Sequence, residues 1–429
     1  MEVLDFITLL IFMAAFFTLI NVKYLKLPST IGLMLLALGL SLFIIGGEYV
    51  FRNLNLLATN LMTEYDFSKV LFQVMLSFLL FAGALDVNLH KLGEEKWPIL
   101  ILATVGVLIS TFFVGSAMYL ILPFLGLPLD FVYCLLFGAL ISPTDPIAVL
   151  AMIKKTVVSE NLESQIAGES LFNDGIGVVV FLSILGVAAG GVENFEVIEV
   201  VKLFGIEVIG GVVLGALLGY IGLYLLKIID NEHTEIEVLV TLSMVLGGAS
   251  VAETLHVSGP LAMVVMGLFV GRKGRIGKEG EEDAAGEYVY KFWHLMDEAM
   301  NAILFILIGL QIIVIHYEMD YFYAAGIAIL VVLTARLLGV GIPVSIMRIK
   351  RFFPKYTIRI LTWSGLRGGI SVALALSLYK ENHGFVMDPK IVDILITMTY
   401  CVVLFSIVVQ GLTVGKLFKL AAENDKKEA

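Results

Sequence analysis

Between Gly168 and Gly177 the chain reads Gly-Glu-Ser-Leu-Phe-Asn-Asp-Gly-Ile-Gly, which brings two carboxylates to the head of a hydrocarbon-like run from Val178 to Gly186. On a helix, Ser170, Asn173 and Asp174 share one face, and Glu169 sits at its edge. A charged side chain at bilayer depth costs roughly 2.5–3.5 kcal/mol even on lenient insertion scales, so an acid there faces protein or water and marks a functional site. Asp174 is that acid. A hydroxyl, an amide and a carboxylate that converge in this way suit small hard cations and protons, and suit zinc or copper poorly. The expected chemistry is competition: Asp174 holds either a proton or a cation, and each occupant neutralises it.

Two further stretches bear on that site. In Ser142-Pro-Thr-Asp-Pro146, Pro143 and Pro146 flank Thr144 and Asp145, and two prolines so placed cannot both preserve a helical ladder. Carbonyls freed at such a break can coordinate a cation, while an acid compensates a half-helix N-terminus and an arginine a C-terminus. Asp145 is therefore either such a cap or a cation ligand, and Thr144 is the better ligand of the two. In Trp363-Ser-Gly-Leu-Arg-Gly-Gly369, three glycines surround Arg367. Glu169 and Arg367 both need a partner within the membrane, and pairing them with each other is the economical arrangement. Arg336 is read as snorkelling or as forming a second structural pair. Asp297 and Glu298 form either a funnel for cations or a solvated helix start, with the second reading favoured. His256, near Glu253, is read as a surface group rather than a pH sensor, and the basic run Arg272 to Lys278 as an orientation signal.

These residues must be positioned by membrane helices. The 429 residues are 59% hydrophobic and 15% charged, with mean hydropathy +0.96, which leaves too few charges to cover a soluble surface. Apolar runs near the ~20 residues that span a bilayer fall at 2–22, 28–46, 70–88, 98–121, 130–152, 162–188, 197–227, 236–252, 258–271, 293–316, 321–347, 357–378 and 391–416. Long continuous runs imply an all-α polytopic membrane protein with thirteen transmembrane helices rather than a barrel. The start Met-Glu-Val-Leu-Asp lacks the basic segment of a secretory signal, so the first run is expected to be retained. With the N-terminus outside and the C-terminus cytoplasmic, 21 of the 28 basic residues fall on the inner side and five on the outer, the bias that the positive-inside rule requires. A span count changed by one would scramble it. Cys134 and Cys401 lie in apolar runs and suggest neither a disulfide framework nor a metal site. The formal charge of −10 says little about partners, since the acids sit mostly in loops and in the tail Glu423 to Glu428.

The breaks fall in the fifth and twelfth spans. An offset of seven reverses direction, which predicts two inverted six-helix repeats with broken helices and the seventh span as linker.

Taken together, Ser142-Pro-Thr-Asp-Pro146, Gly168-Glu-Ser-Leu-Phe-Asn-Asp-Gly175, His256-Val-Ser-Gly, Met296-Asp-Glu-Ala, Phe305-Ile-Leu-Ile-Gly309 and Ser364-Gly-Leu-Arg-Gly-Gly369 make the chain resemble the monovalent cation:proton antiporters of the NhaP and sodium/hydrogen exchanger type. The resemblance implies an NhaA-like antiporter fold and a homodimer. Residues 1–97 would be scaffold and dimerisation helices, 98–190 core helices carrying the ion site, 191–316 the linker helix and further scaffold, 317–420 the remaining core helices and 421–429 a short cytoplasmic tail. It also implies that Asp174 binds cation and proton, that Ser170 and Thr144 join it around Na+, that Asn173 and Asp145 belong to the crossing site, and that Glu169 and Arg367 form its buried pair. One departure is that Leu79 to Leu85 holds no carboxylate before Asp86, where some relatives carry one. The expected activity is electroneutral one-for-one exchange of Na+, and also Li+, for H+ across the cell membrane. No cofactor beyond the transported ions and no nucleic-acid partner is expected. Potassium/proton exchange by the same fold is the near alternative, and an intramembrane aspartyl protease using Asp145 and Asp174 the distant one.

Overall fold

The computed structural model describes residues 3–47, 74–153, 160–190, 197–229, 234–271, 284–313, 318–354, 356–379 and 386–428. The basic run Arg272 to Lys278 and most of the connection from Gly46 to Lys69 lie outside the described residues. Among the described residues every element is helical, and the one β-type pairing is a single antiparallel bridge between Asp145 and Leu366. In chain order the helices are α1 (Val3–Ile20), α2 (Ser29–Gly46), α3 (Leu76–Asp86), α4 (Lys96–Leu125), α5 (Phe131–Ile141), α6 (Ile147–Ile153), α7 (Glu160–Gly190), α8 (Val197–Ile228), α9 (Thr234–Thr254), α10 (Gly259–Gly271), α11 (Ala284–Leu310), α12 (Met319–Met347), α13 (Thr357–Trp363), α14 (Gly369–Leu376) and α15 (Pro389–Leu420). Among the described residues, nine helices are long and apolar enough to cross a membrane, and α3, α5, α10 and the helix that begins at Gly369 are shorter apolar pieces.

The breaks expected from proline and glycine are present. α5 stops at Ile141 and α6 starts at Ile147, while α13 stops at Trp363 and α14 starts at Gly369. α10 has only 13 residues, and its side chains from Leu261 to Leu268 are all buried, so it is an interior helix packed on every side. By contrast, α1 exposes Ile7, Phe12, Phe16 and Leu19, and α8 exposes Ile198, Val201, Ile209 and Tyr220. Apolar surface of that extent belongs against lipid or another protein.

Lipid tails are as apolar as leucine, so helices in a membrane associate through close packing rather than hydrophobic burial. The seam between α8 and α10 follows this rule. Gly211, Gly215 and Gly219 recur every four residues on α8, and a Cβ at these positions would lie 2.6 Å from the Ser258 carbonyl, 2.5 Å from the Ala262 carbonyl and 2.6 Å from Phe269 Cβ. Only a glycine backbone approaches so closely. Because α10 in turn packs against α3 and α7, the seam fixes the wall beside the broken helices. Gly215→Val is expected to destabilise the protein in detergent by about 1–3 kcal/mol through overpacking, read as a drop in unfolding temperature. Gly205→Val on the same helix, where nothing lies within 4 Å, is the control; an equal loss at both positions would contradict the seam.

Candidate functional site

The two chain breaks meet face to face. The Asp145 backbone N–H donates to the Leu366 carbonyl at 2.8 Å, so the chain between α5 and α6 pairs with the chain between α13 and α14. Each frees backbone groups that need partners away from water. At the start of α6, the Asp145 Oδ1 accepts from the Ile147 N–H at 2.9 Å, which is a cap on the half-helix N-terminus. At the end of α5, the Arg367 Nη1 donates to the Ser142 carbonyl at 2.5 Å and to the Pro143 carbonyl at 3.0 Å. A cation thus answers a half-helix C-terminus and an anion an N-terminus. The Arg367 backbone N–H donates to Ser406 Oγ at 2.8 Å, and that hydroxyl donates to Gln410 Oε1 at 2.7 Å across a π-turn, Ser406–Gln410, inside α15.

This use of Arg367 corrects the expected pairing with Glu169. Glu169 is instead held by Arg336 of α12, in a bidentate ion pair that joins Nη1 to Oε1 and Nη2 to Oε2, the latter at 3.1 Å. Arg336 also donates from Nε and Nη2 to the Leu361 carbonyl at 3.2 and 3.0 Å. Gly365 lies so close to the Arg336 guanidinium that any Cβ would collide with it. Arg336 and Arg367 both lie deep within apolar runs, and no local spacing rule says which of them Glu169 meets. The deciding signal is the broken helix itself, whose C-terminal carbonyls already claim one arginine.

On α7, Asn173 clasps Thr144 at both ends of its amide: Oδ1 accepts from the Thr144 N–H at 3.2 Å, and Nδ2 donates to Thr144 Oγ1 at 2.8 Å. The Ser170 hydroxyl donates to the Thr144 carbonyl. Gly177 lies directly against Pro143, so α7 sits flush on the break. The structure therefore brings Thr144, Asp145, Ser170, Asn173 and Asp174 together with Arg367 at one crossing, with Glu169 turned to the side where Arg336 enters. Asp174 is 8% exposed, Asp145 is its charged neighbour, and among the described residues no hydrogen-bond donor reaches its carboxylate. A carboxylate so placed can take up a proton or a small hard cation.

Outside the crossing, Asp297 is half-buried, whereas Glu298 is exposed and lies 3.7 Å from His294. His256 is exposed, in a left-handed turn (φ 52) that ends α9. The sequence did not reveal Glu95, which is fully buried at the head of α4. It accepts from Gln165 Nε2 of α7 at 2.7 Å and pairs with Arg351 beyond α12. Glu94-Glu95-Lys96 reads as an ordinary charged loop, and no spacing rule links it to Arg351.

With this geometry in hand, comparison with known proteins is decisive. A family model described as "Sodium/hydrogen exchanger, transmembrane" matches residues 11–420. The chain belongs to the sodium/hydrogen exchanger family. It is similar to the Na(+)/H(+) antiporter NhaP of Pseudomonas aeruginosa, with 46% identity over 421 residues that cover 97% of this chain and 96% of the relative. It is also similar to the Na(+)/H(+) antiporter NhaH of Halobacillus aidingensis, with 32% identity over 427 residues covering 96% and 97% of the two chains. The sodium proton antiporter MjNhaP1 from Methanocaldococcus jannaschii shares its fold, with a TM-score of 0.77 at 22% identity over 97% of this chain and 99% of that one. Membership makes the chain a membrane cation:proton antiporter, a transporter rather than an enzyme, and removes the protease reading of Asp145 and Asp174.

In the antiporter, removal of either member of the Glu169–Arg336 pair strands a buried charge, at about 3–5 kcal/mol. Arg336→Met alone should therefore destabilise the protein in detergent more than Arg336→Met combined with Glu169→Leu. Additive losses in thermal unfolding would contradict the pair.

Proposed function

We propose that this antiporter exchanges Na+, and also Li+, for H+ one for one, and that both ions compete for Asp174. Ser170 and Thr144 supply further oxygens to the cation, Asn173 positions Thr144, and Asp145 holds the half-helix end with one oxygen turned toward the crossing. Glu169 belongs to the buried framework with Arg336, and Arg367 to the framework with the α5 carbonyls. The observation that carries this reading is a charge balance. Glu169 is paired with Arg336, Arg367 answers freed carbonyls close to the Asp145 cap, and Asp174 alone of these groups has no hydrogen-bonding partner among the described residues.

Counting Asp145 against Arg367 and Glu169 against Arg336, the empty core carries one negative charge, supplied by Asp174. Either a proton or one monovalent cation cancels it. A charged core meets a desolvation penalty in crossing the barrier and a neutral one does not, so only the loaded forms move and transport needs no direct use of ATP. Both loaded forms are neutral, so membrane voltage does no work on the cycle.

The architecture we propose has thirteen crossings, with the broken pairs α5–α6 and α13–α14 each counted once. α1–α7 and α9–α15 form two inverted repeats of six crossings joined by α8; α4–α7 with α12–α15 make up the core, and α1–α3 with α9–α11 serve as the scaffold of a homodimer. The N-terminus is outside and the C-terminus in the cytoplasm of a cell whose plasma membrane holds the protein. The moving unit would be the core, rocking against the seam of α8 and α10.

The test is dequenching of acridine orange in everted vesicles across Li+, Na+ and K+. Sodium and lithium should collapse the pH gradient and potassium should do so poorly, while a potassium response of equal size would mark a K+/H+ exchanger. Asp174→Asn is expected to abolish the response to every cation, and surviving exchange would remove the central assignment. Proteoliposomes under a cation gradient should show no transport current that reverses with voltage.

A further inference from the structure

The stripe of α11 that faces the core carries a second pair of oxygen ligands. Trp293 is 1% exposed and packs edge-on against Phe81 of α3 at 4.7 Å, which turns this face inward. Leu304 of the same stripe lies against Gly369, where the second break ends. Between them, one turn apart, stand Asp297 and Asn301. The Asn301 amide nitrogen donates to the Asp297 carboxylate, which places the amide oxygen beside that carboxylate. Asn301 is 4% exposed, and its Oδ1 has no hydrogen-bond partner among the described residues. A buried carbonyl oxygen without a donor is costly unless something electropositive meets it.

The surroundings say what that is. Two acids on neighbouring elements lie close enough for their charge to act on Asp297, Asp86 at the exposed end of α3 and Asp145 at the crossing, and Asp145 in turn acts on Asp174. Glu298, the other acid beside it, points outward to His294. A line of carboxylates thus runs from the exposed Asp86, through the half-buried Asp297, to the buried Asp174. Among the described residues no basic side chain pairs with Asp297. Hard oxygens, one anionic and one neutral, on the helix opposite the break suit a monovalent cation that keeps part of its water.

We propose that Asp297 and the side-chain carbonyl of Asn301 form a second cation station, which holds a partly hydrated monovalent cation on its way to Asp174. The station rests on Asp174 as the destination, and it sits on α11 rather than on the α7 helix that carries Asp174. It raises the local cation concentration at the mouth of the crossing and so sets apparent affinity rather than the turnover of the loaded core. Focusing of this kind is worth at least about tenfold in local concentration.

Sodium-dependent proton transport in proteoliposomes separates the two sites. Asp297→Asn is expected to raise the sodium KM about tenfold, with transport recovering at saturating sodium, and Asp297→Glu to restore the affinity. Asn301→Leu, which keeps the forked outline and removes the oxygen, should shift KM in the same direction and decides the matter if Asp297→Asn does not fold. An unchanged KM in the Asp297 and Asn301 variants, or a fall in maximal rate at constant KM, would overturn the station. Exchange that survives Asp174→Asn would instead overturn the central site, whatever the Asp297 variants do.

Discussion

A charge withdrawn from water must be answered locally, and the centre of this molecule is arranged around that requirement. Two broken helices leave backbone dipole ends within the protein, and the sequence supplies Asp145 for one end and Arg367 for the other. Glu169 and Arg336 cancel each other in a bidentate pair that also ties α12 to the carbonyl of Leu361. Each of these charges is used to hold the crossing together. Asp174 is left over, and the function proposed for the antiporter follows from that remainder.

The framework around the crossing is rigid for identifiable reasons. A β-bridge stitches the breaks, the Asn173 amide fixes Thr144 from two sides, and the π-turn in α15 supplies the Ser406 hydroxyl that receives the Arg367 N–H. π-turns of this sort are frequent at functional sites because they turn backbone groups out of the helical ladder. Close glycine seams carry the same precision outward, since contacts of backbone on backbone cannot relax by rotating a side chain. Motion of such an assembly is expected as a rigid body against a neighbour rather than as internal rearrangement.

Much of this was legible in the sequence. Apolar runs of bilayer length, the two prolines around Thr144 and Asp145 and the glycines around Arg367 located the apolar helices and both breaks, because hydropathy and helix-breaking chemistry are local properties. The face shared by Ser170, Asn173 and Asp174 was legible for the same reason. What the sequence could not supply was the choice between partners that are distant in the chain. Glu169 with Arg336 and Glu95 with Arg351 both depend on which helix faces which, as does the inward turn of the stripe that carries Asp297 and Asn301. Arg367 shows how physical reasoning narrows such a choice: a half-helix C-terminus needs a cation, and once Arg367 meets that need the glutamate must look elsewhere.

The competition at Asp174 is measured most directly by proton release on cation binding. Purified protein in weakly buffered detergent, mixed with Na+ in the presence of a pH dye, is expected to release about one proton per cation bound in the pH range where Asp174 begins protonated, and the Asp174→Asn protein to release none. Sodium binding without proton release, or release that persists in that variant, would contradict the exchange of one ion for the other at a single carboxylate.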